Sequence, residues 1–196
     1  AEGSLWLLLV MGAITSFLLG MGVTVSACYI FLAIVMGPAL IEFGLDPIAS
    51  HLFILYWGML SYITPPVALA AVAASVIAGS KQMETAFMAM RLGSIKFILP
   101  FIIVLTPALI IRGEPLDVVM TISACTVAVI LMAAGFEGYL YYVGRVGVRT
   151  RVLLFAGAGG FLYPEPVSYG ITAIATVIIY GFFVVKARGN SSAAAA

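Results

Sequence analysis

The sequence predicts an all-α, polytopic integral membrane protein, and three observations support that fold class. Of the 196 residues, 64% are hydrophobic and only 9% are charged, and the mean hydropathy of +1.21 is far above that of a soluble domain. Apolar runs long enough to cross a hydrocarbon core of about 30 Å recur along the chain. The first two of these runs are interrupted by glycine, proline and hydroxyl residues.

The first run, residues 4–41, contains no charged residue. As one straight helix it would be roughly 57 Å long, which is too long for a single crossing. Its middle, "GMGVTVS" at 20–26, supplies flexible backbone and two hydroxyl side chains. We therefore predict a re-entrant hairpin with arms 5–19 and 27–41 and its tip at 20–26.

The second run, residues 47–80, is interrupted by "SYITPP" at 61–66. The interruption divides one crossing into half-helices 51–60 and 67–78. Unpaired backbone groups cost several kcal/mol in hydrocarbon, so a broken helix is tolerated there only where it is buried in protein or lines a polar site. The sequence therefore predicts a discontinuous helix that forms part of such a site.

Proline explains how the break could bind a cation. Pro65 and Pro66 have no backbone N–H to donate, so we expect carbonyls one turn earlier, near Ser61 and Tyr62, to be free. Neutral carbonyl and hydroxyl oxygens are the ligands that a sodium ion requires. The candidate cation ligands are Gly20, Gly22, Thr24 and Ser26 at the tip, and Gly58, Ser61, Ile63 and Thr64 at the break.

Two alternatives remain open for this site. The site could serve a proton in place of a sodium ion. The break could also be a proline kink that is stabilised by neighbouring helices and binds no ion. At the tip, we expect Gly20 and Gly22 to provide left-handed backbone or a close approach between chain segments. We predict no transition-metal site, because Cys28 and Cys125 lie in apolar runs without a second thiol or histidine at ligand spacing.

The remaining segments are assigned by length and charge. Residues 80–93 predict an amphipathic arm helix, either interfacial or packed on the protein. Residues 152–163 predict a tilted, re-entrant or short crossing, which leaves the side of the C-terminus open with a preference for the inside. Predicted spans are 92–111, 118–136 and 166–185, with 112–189 as a C-terminal transmembrane extension and 190–196 as the scar of an expression tag.

Composition also limits the function. The net charge of +1 provides no basic field for nucleic acid, so we predict no DNA or RNA partner. The high hydropathy predicts that the lipid bilayer surrounds the protein. The sequence has no Ser–His–Asp or Cys–His constellation and no zinc-protease motif, so we predict that it is not an enzyme. An intramembrane enzyme is the weakest alternative. A noncatalytic membrane scaffold or assembly subunit, in which the breaks serve packing alone, is the stronger one.

Three stretches resemble the second half of the large membrane subunit of TRAP transporters. They are "LLGMGVTVSACYIFLA", "HLFILYWGMLSYITPPVALAAVAASVIAGS" and "AFMAMRLGSIKFILPFIIVLTPALI". The similarity runs from about residue 5 to 111 and is greatest to fused small-plus-large permeases that work with TAXI-type solute-binding proteins. The later stretch "RTRVLLFAGAGGFLYPEPVSYGI" resembles the C-terminal extension of the fused type.

This resemblance implies an elevator-type transporter of the bacterial inner membrane. It implies sodium-driven import of a small carboxylate delivered by a periplasmic TAXI-type protein, with residues 4–111 as the second half of the transport domain. We expect the chain to be the C-terminal part of a longer permease, whose N-terminal part completes the site. The tip departs from the family pattern, since fused members tend to have Gly-Leu-Pro-Thr-Thr at 22–26 and separate subunits an aspartate at Thr24.

The charge distribution predicts the topology, because short cytoplasmic loops are enriched in Lys and Arg. Cysteines introduced at Asp46 and Glu114 should react with an impermeant thiol reagent from outside, and those at Lys81 and Arg149 from inside. If positions 46 and 81 react from the same side, residues 47–80 form a hairpin and not one interrupted crossing.

Overall fold

The computed structural model describes most of the chain. The described residues are 4–141 and 143–162, together with Thr172 and Thr176. Apart from those two threonines, the predicted span 166–185 lies outside the described residues, and so does the predicted tag scar 190–196.

The chain forms two compact units, Ala1–Gly113 and Glu114–Ala196. The described part is mostly helical, as predicted. In the first unit the helices are α1 (Leu5–Gly20), α2 (Val25–Val35), α3 (Gly37–Glu42), α4 (Pro47–Leu60), α5 (Leu69–Ala78), α6 (Gln82–Leu92) and α7 (Leu99–Leu105), with short 3-10 turns at Ser94–Phe97 and Pro107–Ile110.

The predicted hairpin begins with α1 and continues through a short tip into α2. Thr24 ends the tip by accepting a hydrogen bond from the Ala27 N–H at 3.4 Å, which makes it the N-cap of α2. The second arm differs from the prediction in being divided into α2 and α3 after Val35. Pro38 explains the division, because it has no N–H to donate to the carbonyl one turn earlier.

Helix α4 is longer than predicted at its start. The Asp46 carboxylate accepts hydrogen bonds from the N–H groups of Ile48 and Ala49 at 2.8 and 3.1 Å, and Pro47 occupies the first turn. The helix therefore begins at Pro47, four residues before the predicted half-helix 51–60. The break covers residues 61–68 and contains the cis Pro65–Pro66 bond, so it extends two residues beyond the predicted Pro66.

The core of the first unit surrounds α4, which packs against α1, α2, α3 and α7. Its fully buried side chains include Leu9, Leu32, Leu40, Phe53 and Ile54. Helix α5 instead packs against α6. The two halves of the discontinuous helix therefore have different neighbours.

The arm segment folds back along α5 towards the break. Ala86 of α6 is buried against Ala68 and Ala71. At the end of α6, a Cβ added to Gly93 would lie 2.5 Å from the Ile63 side chain, so this part of the chain touches the break. Helix α6 therefore packs on the protein through Ala86, and the interfacial location predicted for residues 80–93 stays a prediction.

The predicted span 92–111 is not one continuous helix. Gly93, Pro100 and Pro107 lie where it divides into α7 and two 3-10 turns. Helix α7 packs along α4. The ring of Phe101 makes edge contacts with the rings of Trp57 and Phe53, with ring centroids 5.6 and 5.3 Å apart.

Beyond α7, the Arg112 side chain lies 3.6 Å from the Asp46 carboxylate. This contact places Asp46 and Arg112 at the same end of the unit. Residues 82–111 therefore form a second interrupted segment beside the first. Lys96, in the 3-10 turn of this segment, lies beside the break, where it lines a cavity together with Tyr62 and Ile63.

The second unit contains α8 (Pro115–Glu137) and α9 (Val148–Leu162). Among the described residues, α8 is the one helix long and apolar enough to cross a membrane. It begins three residues before the predicted span 118–136, and α9 begins four residues before the predicted segment 152–163. Strands β1 (Tyr139–Leu140) and β2 (Gly144–Arg145) pair antiparallel between them and were not predicted.

Arg151 connects the two helices of this unit. Its guanidinium donates to the Gly135 and Phe136 carbonyls at 2.7 and 2.6 Å, which satisfies the C-terminal end of α8. Phe136 and Phe155 make an edge contact at 4.9 Å. Arg151 therefore has a structural role in α8–α9 packing.

The return of α6 to the break can be tested by crosslinking in a variant without Cys28 and Cys125. Ile63→Cys and Gly93→Cys together should crosslink efficiently with a short bifunctional thiol reagent. The control pair Ile63→Cys and Met83→Cys should not, because Met83 lies about 15 Å farther along the helix. Equal crosslinking of both pairs would contradict the packing described for α6.

Candidate functional site

The site is built around a crossing of two glycines. Gly20 ends α1, and Gly58 lies in the last turn of α4. A Cβ added to Gly20 would collide with the carbonyl oxygen of Gly58 and would lie 3.1 Å from its Cα. Only glycine allows the two backbones to come this close, so the predicted close approach exists at Gly20.

Ser61 joins the two helices at this crossing. Its hydroxyl is fully buried and lies 2.8 Å from the Gly20 carbonyl oxygen and 3.0 Å from the Gly58 carbonyl oxygen. A hydroxyl has one proton, so it donates to either carbonyl or is shared between them. Three neutral oxygen atoms from two chain segments therefore converge at one buried point.

The Gly58 carbonyl is available because the helix tightens before the break. The Tyr62 N–H, which would bond to Gly58 in a continuing α-helix, donates to the Met59 carbonyl at 3.1 Å. The Ile63 N–H likewise donates to Leu60 at 3.2 Å. The carbonyl released by this tightening is that of Gly58, which was among the predicted ligands.

The carbonyls of Ser61 and Tyr62 were predicted to be free, but both accept backbone hydrogen bonds. The Ala68 N–H donates to the Ser61 carbonyl at 3.1 Å, and the Ala70 N–H donates to the Tyr62 carbonyl at 3.0 Å. Pro65 and Pro66 do remove two backbone donors, but the N–H groups of Ala68 and Ala70 donate to these carbonyls in their place. The break is therefore held closed by its own backbone hydrogen bonds.

Helix dipoles give this point a negative potential. Both α1 and α4 end here, and the C-terminal end of a helix carries a partial charge of about −0.5. The Gly20 and Gly58 carbonyls are the backbone groups through which that charge is presented. The arrangement favours a cation and provides no full negative charge of its own.

Thr64 is the second hydroxyl of the break. It is buried, and its hydroxyl donates to the Leu60 carbonyl at 2.8 Å, which leaves its oxygen lone pairs as acceptors. The Ile63 side chain packs against Gly93, and the predicted role of the Ile63 carbonyl as a ligand stays a prediction. Ser61 and Thr64 are therefore the two buried hydroxyl side chains that the break supplies.

The outer tip residues are not brought to this point. Gly22, Thr24 and Ser26 are exposed, and the Thr24 hydroxyl caps α2. The nearest atom to a Cβ added at Gly22 is the Leu19 carbonyl oxygen at 3.8 Å, and its φ is not in the left-handed region. The geometric requirement predicted for both glycines therefore holds at Gly20 alone.

Sequence reasoning missed two buried residues beside the crossing. Ser16 precedes Gly20 by one turn and is fully buried, and within the described chain its hydroxyl has no hydrogen-bond partner. Cys28 of α2 lies 3.7 Å from the Ser16 carbonyl oxygen through its sulfur. The available signal was the spacing of Gly12, Ser16 and Gly20, because small residues four apart allow membrane helices to pack closely.

The family assignment rests on the unit that contains this site. The profile of the tripartite ATP-independent periplasmic transporter family, DctM component, matches residues 1–113, which is more than half of the chain. The chain belongs to the DctM family. No curated protein and no solved structure matches it significantly.

Membership establishes several coarse properties of this DctM chain. It is a component of a TRAP secondary transporter, a membrane protein and not a member of an enzyme family. The family also implies a partnership with a solute-binding protein and with the other membrane components. The predicted resemblance is thereby confirmed at the level of the family, while the fused architecture and the TAXI type stay predictions.

The glycine crossing can be tested with a matched pair of substitutions in the complete permease. Gly20→Ala should lower the free energy of unfolding by about 1–3 kcal/mol, because the new methyl group overpacks the contact with Gly58. Gly22→Ala has open space and should change it little. Thermal unfolding of both variants checks this, and equal stability would show that the crossing does not require a glycine.

Proposed function

We propose that this chain is the C-terminal part of a TRAP permease of the bacterial inner membrane. In this proposal the permease imports a small organic acid delivered by a periplasmic TAXI-type binding protein, and sodium is the coupling ion. The observation that carries the proposal is the convergence of the Gly20, Gly58 and Ser61 oxygens at two helix C-terminal ends. Family membership supports the transport function itself.

The chemistry of the oxygen atoms favours sodium over a divalent cation. Carbonyl and hydroxyl groups are neutral, hard ligands, and discontinuous transporter helices use such groups to bind Na⁺. A divalent cation is bound most strongly by carboxylates. Within the described residues no group of three or more His, Cys, Asp and Glu side chains could hold a metal ion.

Sodium is also preferred over a proton at this point. The hydroxyls of Ser61 and Thr64 do not titrate in the physiological range. The histidine of the first unit, His51, is ten residues before Ser61, which is about 15 Å along α4. Its Nδ1 lies 3.2 Å from the Tyr29 hydroxyl and therefore has a local partner of its own.

The Ser61 hydroxyl would have to reorient when a cation binds. At present its proton points to a carbonyl oxygen, and a bound cation needs the lone pairs of all three oxygens. Rotation of the hydroxyl would direct those lone pairs to the cation without any movement of the backbone. The site could therefore be rigid in its backbone and still respond to the ion.

Rigid packing also fits the proposed elevator mechanism. Such a mechanism moves a transport domain as a body, and the site must travel within it without distortion. Gly20 and Gly58 lock α1 to α4, and Cys28 lies 3.2 Å from where a Gly58 Cβ would be, so α2 is locked to them as well. The hairpin and the first half of the discontinuous helix would then move together.

Side-chain substitutions in the complete permease test the cation proposal. Ser61→Ala and Thr64→Ala should each raise the sodium concentration for half-maximal uptake several-fold, because Ser61 provides one of the three converging oxygens and Thr64 is proposed to provide a further hydroxyl oxygen from the break. Thr15→Ala is the matched control, since Thr15 also donates to the carbonyl four residues earlier, at 2.8 Å, but is exposed on α1. Uptake by reconstituted permease with its binding protein gives the measurement.

Two results would contradict the proposal in different ways. If both sodium titrations coincide with the wild type, the break serves packing or proton-coupled transport. If no member of the series transports but all of them fold and assemble, the scaffold alternative is favoured. Docking of the solute-binding protein should be the same throughout, because the substitutions are buried.

A further inference from the structure

A cavity lies beside the break. It has a volume of about 300 Å³, at the lower end of the roughly 300–1,000 Å³ range of ligand sites. Its lining residues come from both sides of the break and from the 3-10 turn after α6: Tyr56, Met59, Leu60, Tyr62, Ile63 and Lys96. The cavity thus combines an ammonium group, two phenols and an apolar wall.

Packing fixes Lys96 at the wall of this cavity. Three residues earlier, Gly93 contacts the Ile63 side chain, and its lack of a Cβ makes that contact possible. One residue later, Phe97 makes an edge contact with Trp57 at 6.0 Å. The turn that carries Lys96 is therefore held against the break at its start and against α4 at its end.

The charge of Lys96 is not compensated within the described chain. Lys81 pairs with Glu84 at 2.9 Å, and Arg112 lies 3.6 Å from Asp46. Lys96, in contrast, has neither an ion pair nor a side-chain hydrogen bond among the described residues. The Lys96 side chain is exposed at the wall of the cavity, so its ammonium group is accessible to an anionic ligand that enters there.

We propose that this cavity binds a carboxylate, with the Lys96 ammonium as its counter-charge. The phenol hydroxyls of Tyr56 and Tyr62 are available as additional donors, and Met59, Leu60 and Ile63 would contact the hydrocarbon part of the ligand. The identification of the carboxylate as that of the transported acid rests on the transport function proposed above. A small organic acid matches the cavity in charge and in size.

The position of the cavity connects it to the proposed cation site. Leu60 and Tyr62 line it, and they are the chain neighbours of Ser61. A cation at the Ser61 oxygens and a carboxylate in the cavity would be bound by adjacent residues of one chain segment, and their opposite charges would attract each other. Each ligand should then increase the affinity for the other by the same factor.

Direct binding measurements on the complete permease in zwitterionic nanodiscs test this site. The probes are acetate, pyruvate, succinate and glutamate as sodium salts, with succinamide as the neutral control, by titration calorimetry. For the probe that binds best, Lys96→Met should weaken binding about 10- to 100-fold, because a charge-assisted contact is lost. Lys96→Arg should retain most of the affinity, and Lys81→Met should match the wild type.

Additional variants separate a direct role from a folding defect. Tyr62→Phe keeps the ring and should weaken binding several-fold with unchanged thermal unfolding. The proposal is overturned if no carboxylate binds the wild type, if Lys96→Met binds normally, or if the effect of Lys96→Met appears only with anionic lipids. The last result would assign Lys96 to a lipid headgroup.

Repeating the titrations with choline in place of sodium separates this proposal from the proposed function. If Lys96→Met loses carboxylate binding but sodium has no effect on any variant, the carboxylate site stands and sodium coupling is wrong. If sodium binds normally but no carboxylate does, the cation site stands and the assignment of Lys96 is wrong.

Discussion

The close contact between Gly20 and Gly58 is the constraint on which the rest of the first unit depends. It brings the ends of α1 and α4 together, so that one buried hydroxyl, that of Ser61, can reach both carbonyl oxygens. A side chain at Gly20 would collide with the Gly58 backbone and separate the helices. The crossing thus provides packing and a site of negative potential through the same backbone atoms.

The break in the discontinuous helix begins three residues after Gly58. Its backbone is kept closed by hydrogen bonds from Ala68 and Ala70, so the polar cost of breaking a helix is largely met within the chain. The neighbouring segment is also interrupted, and its Lys96 lines the cavity beside the break. In our proposals, the first segment provides neutral oxygens for a cation and the second provides an ammonium group for an anion.

The sequence predicted the helices better than their relations in space. Run length, glycines and prolines located the tip and the break at Ser61, because these residues act locally on the backbone. Hydropathy could not show that residues 92–111 are divided, or that α6 returns along α5, because both depend on contacts such as Ile63 with Gly93. For the same reason Gly20, Gly58 and Ser61 were predicted as ligands of one site, but the sequence could not show that Gly58 is the residue whose backbone Gly20 approaches, or that Lys96 lines a cavity beside the break.

Selective carbonyl labelling tests the central claim most directly. Gly20–Met21 and Gly58–Met59 are the Gly–Met pairs of this chain, so carbonyl-¹³C glycine with ¹⁵N methionine selects the two proposed carbonyl ligands. In the complete permease, Met21→Leu and Met59→Leu variants assign the two NMR signals. The account predicts that both signals shift with sodium at one common half-saturating concentration and do not respond to choline. Signals that remain unchanged through the sodium range supporting uptake would contradict it.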